Sequence, residues 1–353
     1  MKSGWAIKKL GEVCELINGK NQSEVANPSG KYPIYGSGGV MGRADDFRCP
    51  AGCTIIGRKG SINNPLYVTE PFWNVDTAYA LSPTGVESKF LYYFCLSFDF
   101  SKLDCGTTIP SLTSAIVKDV DIPIPPLAEQ KRIVAKIDAA FEKIDKLKAN
   151  AERNLANAKE LFQSALEEAM RPKKGWVEKR LGEVCEILDS KRKPITKKDR
   201  VAGPIPYYGA TSVQDHVRNY IFDEPLVLLG EDGAKWGAGD KSAYMIEGKS
   251  WVNNHAHVLR PMPSLLRPWL TYYLVASDLS EFISGTTVPK LNQERMRSIP
   301  IPMPPVSEQQ LVVKRLDFLA EKTKLLEQNY ARQIADCAEM RQSVLREAFE
   351  GRL

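Results

Sequence analysis

Two short segments carry side chains suited to hydrogen bonding with a polyanion. Gly57-Arg58-Lys59-Gly60-Ser61-Ile62-Asn63 sets two cations, a hydroxyl and an amide between and beside glycines, directly after an apolar run that reads as a strand. Glycines allow the backbone to approach a surface closely. A guanidinium there can address the paired acceptors of guanine while an ammonium meets phosphate, so Arg58, Lys59, Ser61 and Asn63 are candidates for DNA contact. At the corresponding place farther along stands Glu231-Asp232-Gly233-Ala234-Lys235-Trp236. Carboxylates repel phosphate but accept from the amino group of cytosine, so Glu231, Lys235 and Trp236 suit a different base sequence. Thr107, Thr108 and Ser111 form one further candidate set, and Thr286, Thr287 and Lys290 another. Lys191-Arg192-Lys193, with Lys197-Lys198 close by, is a basic run suited to the sugar–phosphate backbone. Each of these also fits an ordinary solvated or structural turn.

Other chemistry meets obstacles. Asn64-Pro65-Leu66-Tyr67 approaches the motif that holds a target adenine in a methyltransferase, but Leu66 replaces the second proline and no Gly-rich strand-to-helix turn accompanies it. Gly248-Lys249-Ser250 resembles the end of a phosphate loop, yet Ala243 stands where the first glycine belongs. His255 and His257 would share one face of a strand, but three histidines in all and no nearby cysteine partner argue against a metal site. Cys49 and Cys53 lack a second ligand pair at zinc-finger spacing, and seven irregularly spaced cysteines read as buried free thiols. The expectation is a chain without catalytic residues, metal or cofactor of its own.

The elements that would position these residues occur twice. Leu10-Gly11-Glu12-Val13-Cys14-Glu15 returns as Leu181-Gly182-Glu183-Val184-Cys185-Glu186, and Trp5 as Trp176, 171 residues later. Tyr35-Gly36 matches Tyr208-Gly209, and Gly57 and Gly60 match Gly230 and Gly233, at an offset of 173. Trp73 matches Trp251 at 178. Gly106-Thr107-Thr108-Ile109-Pro110 pairs with Gly285-Thr286-Thr287-Val288-Pro289 at 179, and Ile122-Pro123-Ile124-Pro125-Pro126 with Ile301-Pro302-Met303-Pro304-Pro305 in the same register. The ends of the halves agree and the middles differ, as expected of one frame holding two different reading surfaces.

Each half divides again. From Leu127 to about Met170, and from Val306 to about Phe349, neither proline nor glycine interrupts a run of strong helix formers. The first apolar stripe includes Ile133, Ile137, Phe141, Ile144, Leu147, Ala151, Leu155, Leu161 and Phe162. The second includes Val312, Leu316, Leu319, Thr323, Leu326, Ile334, Cys337 and Val344. Steps of three and four predict two helices of roughly 65 Å, whose simplest arrangement is an antiparallel coiled coil with a pseudo two-fold axis, the alternative being that the stripes bind another protein's helices. Asn154 and Thr323 near the stripes are candidates for fixing register or, equally, tolerated surface residues. The remaining segments, with short runs such as Cys53–Ile56 and Leu226–Leu229 read as strands and Phe90–Leu96 and Trp269–Val275 as helices, predict compact α+β domains. The expected division is 1–126, 127–171, 172–304 and 305–353. Among 353 residues, 43% are hydrophobic and 26% charged, with no apolar stretch of eighteen and no apolar leader, which points to a folded cytoplasmic chain. A net charge of +5 permits a nucleic-acid partner without requiring one.

This order, with Leu-Gly-Glu-Val after an early Trp, Trp73-Asn74-Val75-Asp76-Thr77-Ala78 and its copy Trp251-Val252-Asn253-Asn254-His255-Ala256, the Gly-Thr-Thr segments, and Pro-Pro-Leu-Ala-Glu-Gln entering a long helix, resembles specificity subunits of type I restriction–modification systems. The resemblance covers essentially the whole chain. It implies two target recognition domains, each reading one half of a split sequence in double-stranded DNA, with the helices as a ruler for the unread spacer. It further implies assembly with two methyltransferase subunits that use S-adenosylmethionine and, optionally, with restriction subunits driven by ATP and magnesium. The competing expectation is a coiled-coil assembly protein with two protein-binding domains. A stand-alone transcription factor is disfavoured because no helix-turn-helix or zinc module is evident.

Overall fold

The computed structural model describes residues 4–285 and 287–353. They fall into two units: unit 1 is Met1–Glu152 with Ala331–Leu353, and unit 2 is Arg153–Tyr330. Unit 1 opens with β1 (Ala6–Lys9), the one-turn helix α1 (Leu10–Val13) and β2 (Cys14–Asn18). Next come β3 (Tyr32–Gly36), β4 (Gly39–Ala44), β5 (Cys53–Gly57), β6 (Leu66–Val68), β7 (Trp73–Asn74) and β8 (Ala78–Pro83). The helices α2 (Ser88–Ser97) and α3 (Ser114–Lys118), β9 (Asp121–Ile124) and the long α4 (Leu127–Met170) follow.

Unit 2 repeats the series. It has β10 (Val177–Arg180), α5 (Leu181–Val184), β11 (Cys185–Ile187), β12 (Ala202–Tyr208), β13 (Val213–Val217) and β14 (Phe222–Asp223). After β15 (Leu226–Gly230), β16 (Ala243–Ile246), β17 (Lys249–Val252) and β18 (Ala256–Pro261) come α6 (Arg267–Ala276), α7 (Gln293–Arg297), β19 (Pro300–Met303) and α8 (Val306–Phe349). The sheets correspond strand for strand. Order β2-β8-β5-β6 in unit 1 becomes β11-β18-β15-β16 in unit 2, β4-β3-β7 becomes β13-β12-β17 with β14 added, and β1-β9 becomes β10-β19. The chain thus mixes α and β in two repeated domains, as its sequence pattern predicts.

The repeated letters have structural causes. In both copies of Leu-Gly-Glu-Val the glutamate caps its own turn: the Lys9 N–H donates to Glu12 at 2.8 Å and the Arg180 N–H to Glu183 at 2.7 Å. Leu10, Val13, Leu181 and Val184 are buried beneath. The glutamine of Glu-Gln is a buried clamp. Gln130 accepts from the Glu87 N–H and donates to Pro125 O, both at 2.9 Å, so it ties the start of α4 to the start of α2. Gln309 does the same between α8 and α6, accepting from the Leu266 N–H and donating to Pro304 O. An interhelical tie also recurs: Tyr93 donates to Asp138, and Tyr272 to Asp317.

Both long helices contribute to each unit's core. In unit 1, Ile133, Ile137, Phe141 and Ile144 of α4 share a cluster with Cys337, Leu345 and Ala348 of α8. Arg341 pairs with Asp145 and lies 4.3 Å from the Phe141 ring, while Arg132 donates to the Leu353 carbonyl, so the segments run antiparallel. In unit 2, Leu166 and Met170 share a cluster with Val313, Leu316 and the fully buried Trp269. Three stripe residues depart from expectation. Leu147, Leu161 and Leu326 are exposed, because a helix of 3.6 residues per turn drifts away from a strict seven-residue seam. Thr323 is buried, but its hydroxyl bonds Leu319 O of its own helix at 2.9 Å rather than reaching across. All seven cysteines are free, and only Cys105 is exposed. No described helix is long and apolar enough to cross a membrane.

Candidate nucleic-acid interface

Segments distant in sequence meet beside the end of β5. Gly60 N donates to Pro110 O at 2.9 Å, Leu112 N donates to Arg58 O at 2.8 Å, and Lys59 forms an isolated bridge with Ser111. The Arg58–Gly60 turn and the Gly-Thr-Thr loop are therefore one surface. In unit 2, Leu291 N donates to Glu231 O at 2.8 Å and Asp232 bridges Lys290, which is the same junction at matched positions. Arg58 corresponds to Glu231, Lys59 to Asp232 and Ser111 to Lys290.

The floor beneath the junction differs. In unit 1 the buried Tyr79 donates its hydroxyl to Leu112 O at 3.2 Å. His257 holds the matched place in unit 2. Its Nε2 meets Leu291 O at 2.8 Å, and since a carbonyl only accepts, Nε2 donates. Its Nδ1 faces Asp189 at 2.6 Å. Arg192 reaches Glu231 at 2.5 Å, Asp189 at 3.4 Å and Ala256 O at 2.8 Å, and Lys290 reaches Glu231 at 2.8 Å. Burial would raise the Asp189 carboxyl, but the hydrogen bond and charge of His257, the Val258 N–H and Arg192 outweigh it and hold it below its ordinary value. Burial likewise opposes ionisation of Glu231, and Lys290 and Arg192 overcome it.

Several sequence candidates change role here. Arg192 was expected on the sugar–phosphate backbone, but its side chain is only 13% exposed and is engaged by two carboxylates. Glu231 was expected at a base edge, yet its carboxylate is enclosed by the same pairs. Trp236 is buried among the unit 2 core residues and donates to Gly230 O at 3.0 Å, so it anchors its loop from within. Asn63 is spent on Phe100 N and Asp99. The histidines do not share a strand face: His255 lies in the turn before β18 and pairs with Asp232, while His257 is inside. Asp189, Glu231 and His257 have metal-ligand geometry, but the chain's own guanidinium and ammonium already occupy that charge.

The accessible candidates are Arg58, half-buried and tied to Asp76 O at 3.2 Å, with exposed Lys59, Ser61, Thr107, Thr108, Lys191, Lys193, Lys235 and Thr287. Ser111 is half-buried, and Thr286 lies outside the described residues. The Gly-Thr-Thr loop is tight: a Cβ on Gly106 would stand 2.0 Å from Ile109 O. Asp104 braces it by accepting from the N–H groups of Ser111 and Gly106, which lowers its pKa. Sequence reading named Lys193 but missed its counterpart Lys20. Trp73 donates its indole N–H to Lys20 O and Trp251 donates to Lys193 O, so each tryptophan fixes an exposed lysine at the same place. The paired tryptophans were the available signal.

Known proteins share this fold. A chain solved in work on complex assembly and conformational transition of the type I R-M system matches with a TM-score of 0.81 at 23% identity, over 100% of this chain and 99% of that one. The HsdS subunit from Thermoanaerobacter tengcongensis matches at 0.63 and 23%, over 100% and 98%. At such identities the likeness is one of fold. A Haemophilus influenzae type I restriction enzyme specificity subunit is 39% identical over 145 residues, which are 41% of this chain and 37% of that protein's length. The Escherichia coli EcoDI specificity subunit is 22% identical across 99% of this chain and 88% of its own. The family model for the type I restriction modification DNA specificity domain matches residues 2–155 and again 173–334, and the chain belongs to that family.

Proposed function

We propose that this chain is the sequence-reading subunit of a type I restriction–modification complex and that its target is bipartite. Residues 1–126 read one half-site and 172–304 the other, while 127–171 and 305–353 hold the unread spacer between them. The chain supplies recognition only. Two methyltransferase subunits, using S-adenosylmethionine, modify adenine on double-stranded DNA in the cytoplasm, and restriction subunits using ATP and magnesium join them.

The observation that carries this reading is the matched junction with altered charge: Arg58, Lys59 and Ser111 in one unit stand where Glu231, Asp232 and Lys290 stand in the other. Residues alike in both units suit what two half-sites have in common, the phosphate backbone. These are Lys20 and Lys193 and the Gly-Thr-Thr threonines, Thr107 and Thr108 with Thr286 and Thr287. Residues that differ suit the bases, apart from Lys59, whose ammonium meets phosphate in the first half-site alone. Arg58 addresses a guanine in the first half-site, and Lys290, held by Glu231, presents the cation in the second.

Removing seven facing residues from each of α4 and α8 tests the ruler. At about 1.5 Å per residue and 3.4 Å per base pair, the gap in the methylated motif should shorten by about three base pairs with both half-sequences intact. An unaltered gap would refute the spacer role.

A further inference from the structure

We infer that the hairpins β3–β4 and β12–β13 are base-reading elements, with Met41 and Gln214 as their specificity-determining residues. This rests on the DNA-reading function proposed above. Both hairpins border the junction. A Cβ on Gly60 would stand 3.6 Å from Ser37 Oγ, and one on Gly230 would stand 3.3 Å from Ala210 O. Each is also hydrogen-bonded to a turn: Val75 N, just past β7, donates to Tyr35 O, and Asn253 N, just past β17, donates to Tyr208 O.

Their tips are shaped alike and differ in chemistry. Met41 Sδ lies 2.5 Å from where a Cβ on Gly36 would be, and Gln214 Cγ lies 2.7 Å from that point on Gly209. Each side chain therefore lies across a glycine at the same register, Gly36 in β3 and Gly209 just past β12, and a Cβ there would push it aside. Yet the hairpins stay open to solvent, with Val40 63% and Met41 62% exposed, Val213 41%, and Gln214 exposed as well. A thioether and an isopropyl group presented to solvent beside a cationic loop fit the methyl group of thymine. A glutamine amide offers the donor and acceptor that match adenine N7 and N6. One scaffold with two chemistries is what half-sites of different sequence require.

The test uses the chain in complex with its methyltransferase, a randomised duplex library as probe, and sequencing of the methylated products. Gln214→Ala should lower preference for one adenine in one half-site by roughly tenfold or more. Met41→Gln, at an exposed tip, should shift preference from thymine toward adenine in the other half-site only. Unchanged base preferences in both variants would overturn the inference. So would a uniform fall at every position, the mark of a purely structural role. A wild-type complex with no two-part motif would overturn the DNA-reading function, and this inference with it.

Discussion

The junction of unit 1 and that of unit 2 solve the same positioning problem with different forces. In unit 1, neutral and singly charged groups suffice: Tyr79 holds Leu112 O, and Asp104 gathers the two N–H groups of the Gly-Thr-Thr loop. Arg58 and Lys59 remain turned to the surface. In unit 2, Asp189, Arg192, Glu231 and Lys290 form an ionic network beneath the loop, hydrogen-bonded to His257, and much of the local charge is consumed internally. The lesson is that charge in the sequence is not charge at the surface. The same frame can spend its ions on recognition or on its own rigidity, and burial decides which.

The largest expected effect separates the two junctions by stability. Glu231→Ala leaves Arg192 and Lys290 facing each other without their shared carboxylate, and should destabilise unit 2 by about 3 kcal/mol. Arg58→Ala, at the matched surface place, should cost less than about 0.5 kcal/mol. Urea midpoints compare the two, and equal losses would erase the distinction. Next, Gly106→Ala and Gly285→Ala strike what the units share. Gly106 has no room for a Cβ and Gly285 has a φ of 87°, so each change should lower affinity roughly tenfold for every duplex without altering base preference. A changed base preference in a binding selection would make this loop a reader of sequence instead.

Acid should sharpen the contrast further. Asp189 and Glu231 both have depressed folded values, so the stability they add is present above their ordinary values of 3.8 and 4.5. It is lost as pH falls below these toward the lower folded values. Hydrogen exchange should show the unit 2 junction opening in that window before the core of unit 1 does; simultaneous opening would count against the ionic floor. The smallest effect is on the salt dependence of binding. Lys59→Ala should reduce the slope of log affinity against log salt by about 1, whereas Asp232→Ala should leave it the same or steeper. Matching reductions would mean that the two positions meet DNA alike.

Much of the frame was legible because repetition marked it. Leu-Gly-Glu-Val and the Pro-Pro and Glu-Gln pairs at the entry to each long helix recur because a self-capped turn and a buried glutamine clamp need those letters. The long helices were legible from uninterrupted helix formers. The site was less so, because its decisive partners are far apart in sequence: Glu231 meets Arg192 and Lys290, and His257 meets Asp189. No local pattern reveals that Arg192, within a basic run, turns inward. Trp236 looked like a surface aromatic beside a lysine, but its loop docks through Leu279 N on Trp236 O and Gly239 N on Val275 O. Met41 and Gln214 were invisible for the opposite reason, since positions that differ between the copies leave no repeat to notice.

The most direct trial of the account is methylome sequencing of a host carrying either the wild-type chain or Arg58→Ala with the same methyltransferase. The account predicts a two-part motif for the wild type and, for the variant, relaxation at a guanine in one half alone, with gap and other half intact. An identical motif, or relaxation in both halves together, would contradict the assignment of one reading surface to each unit.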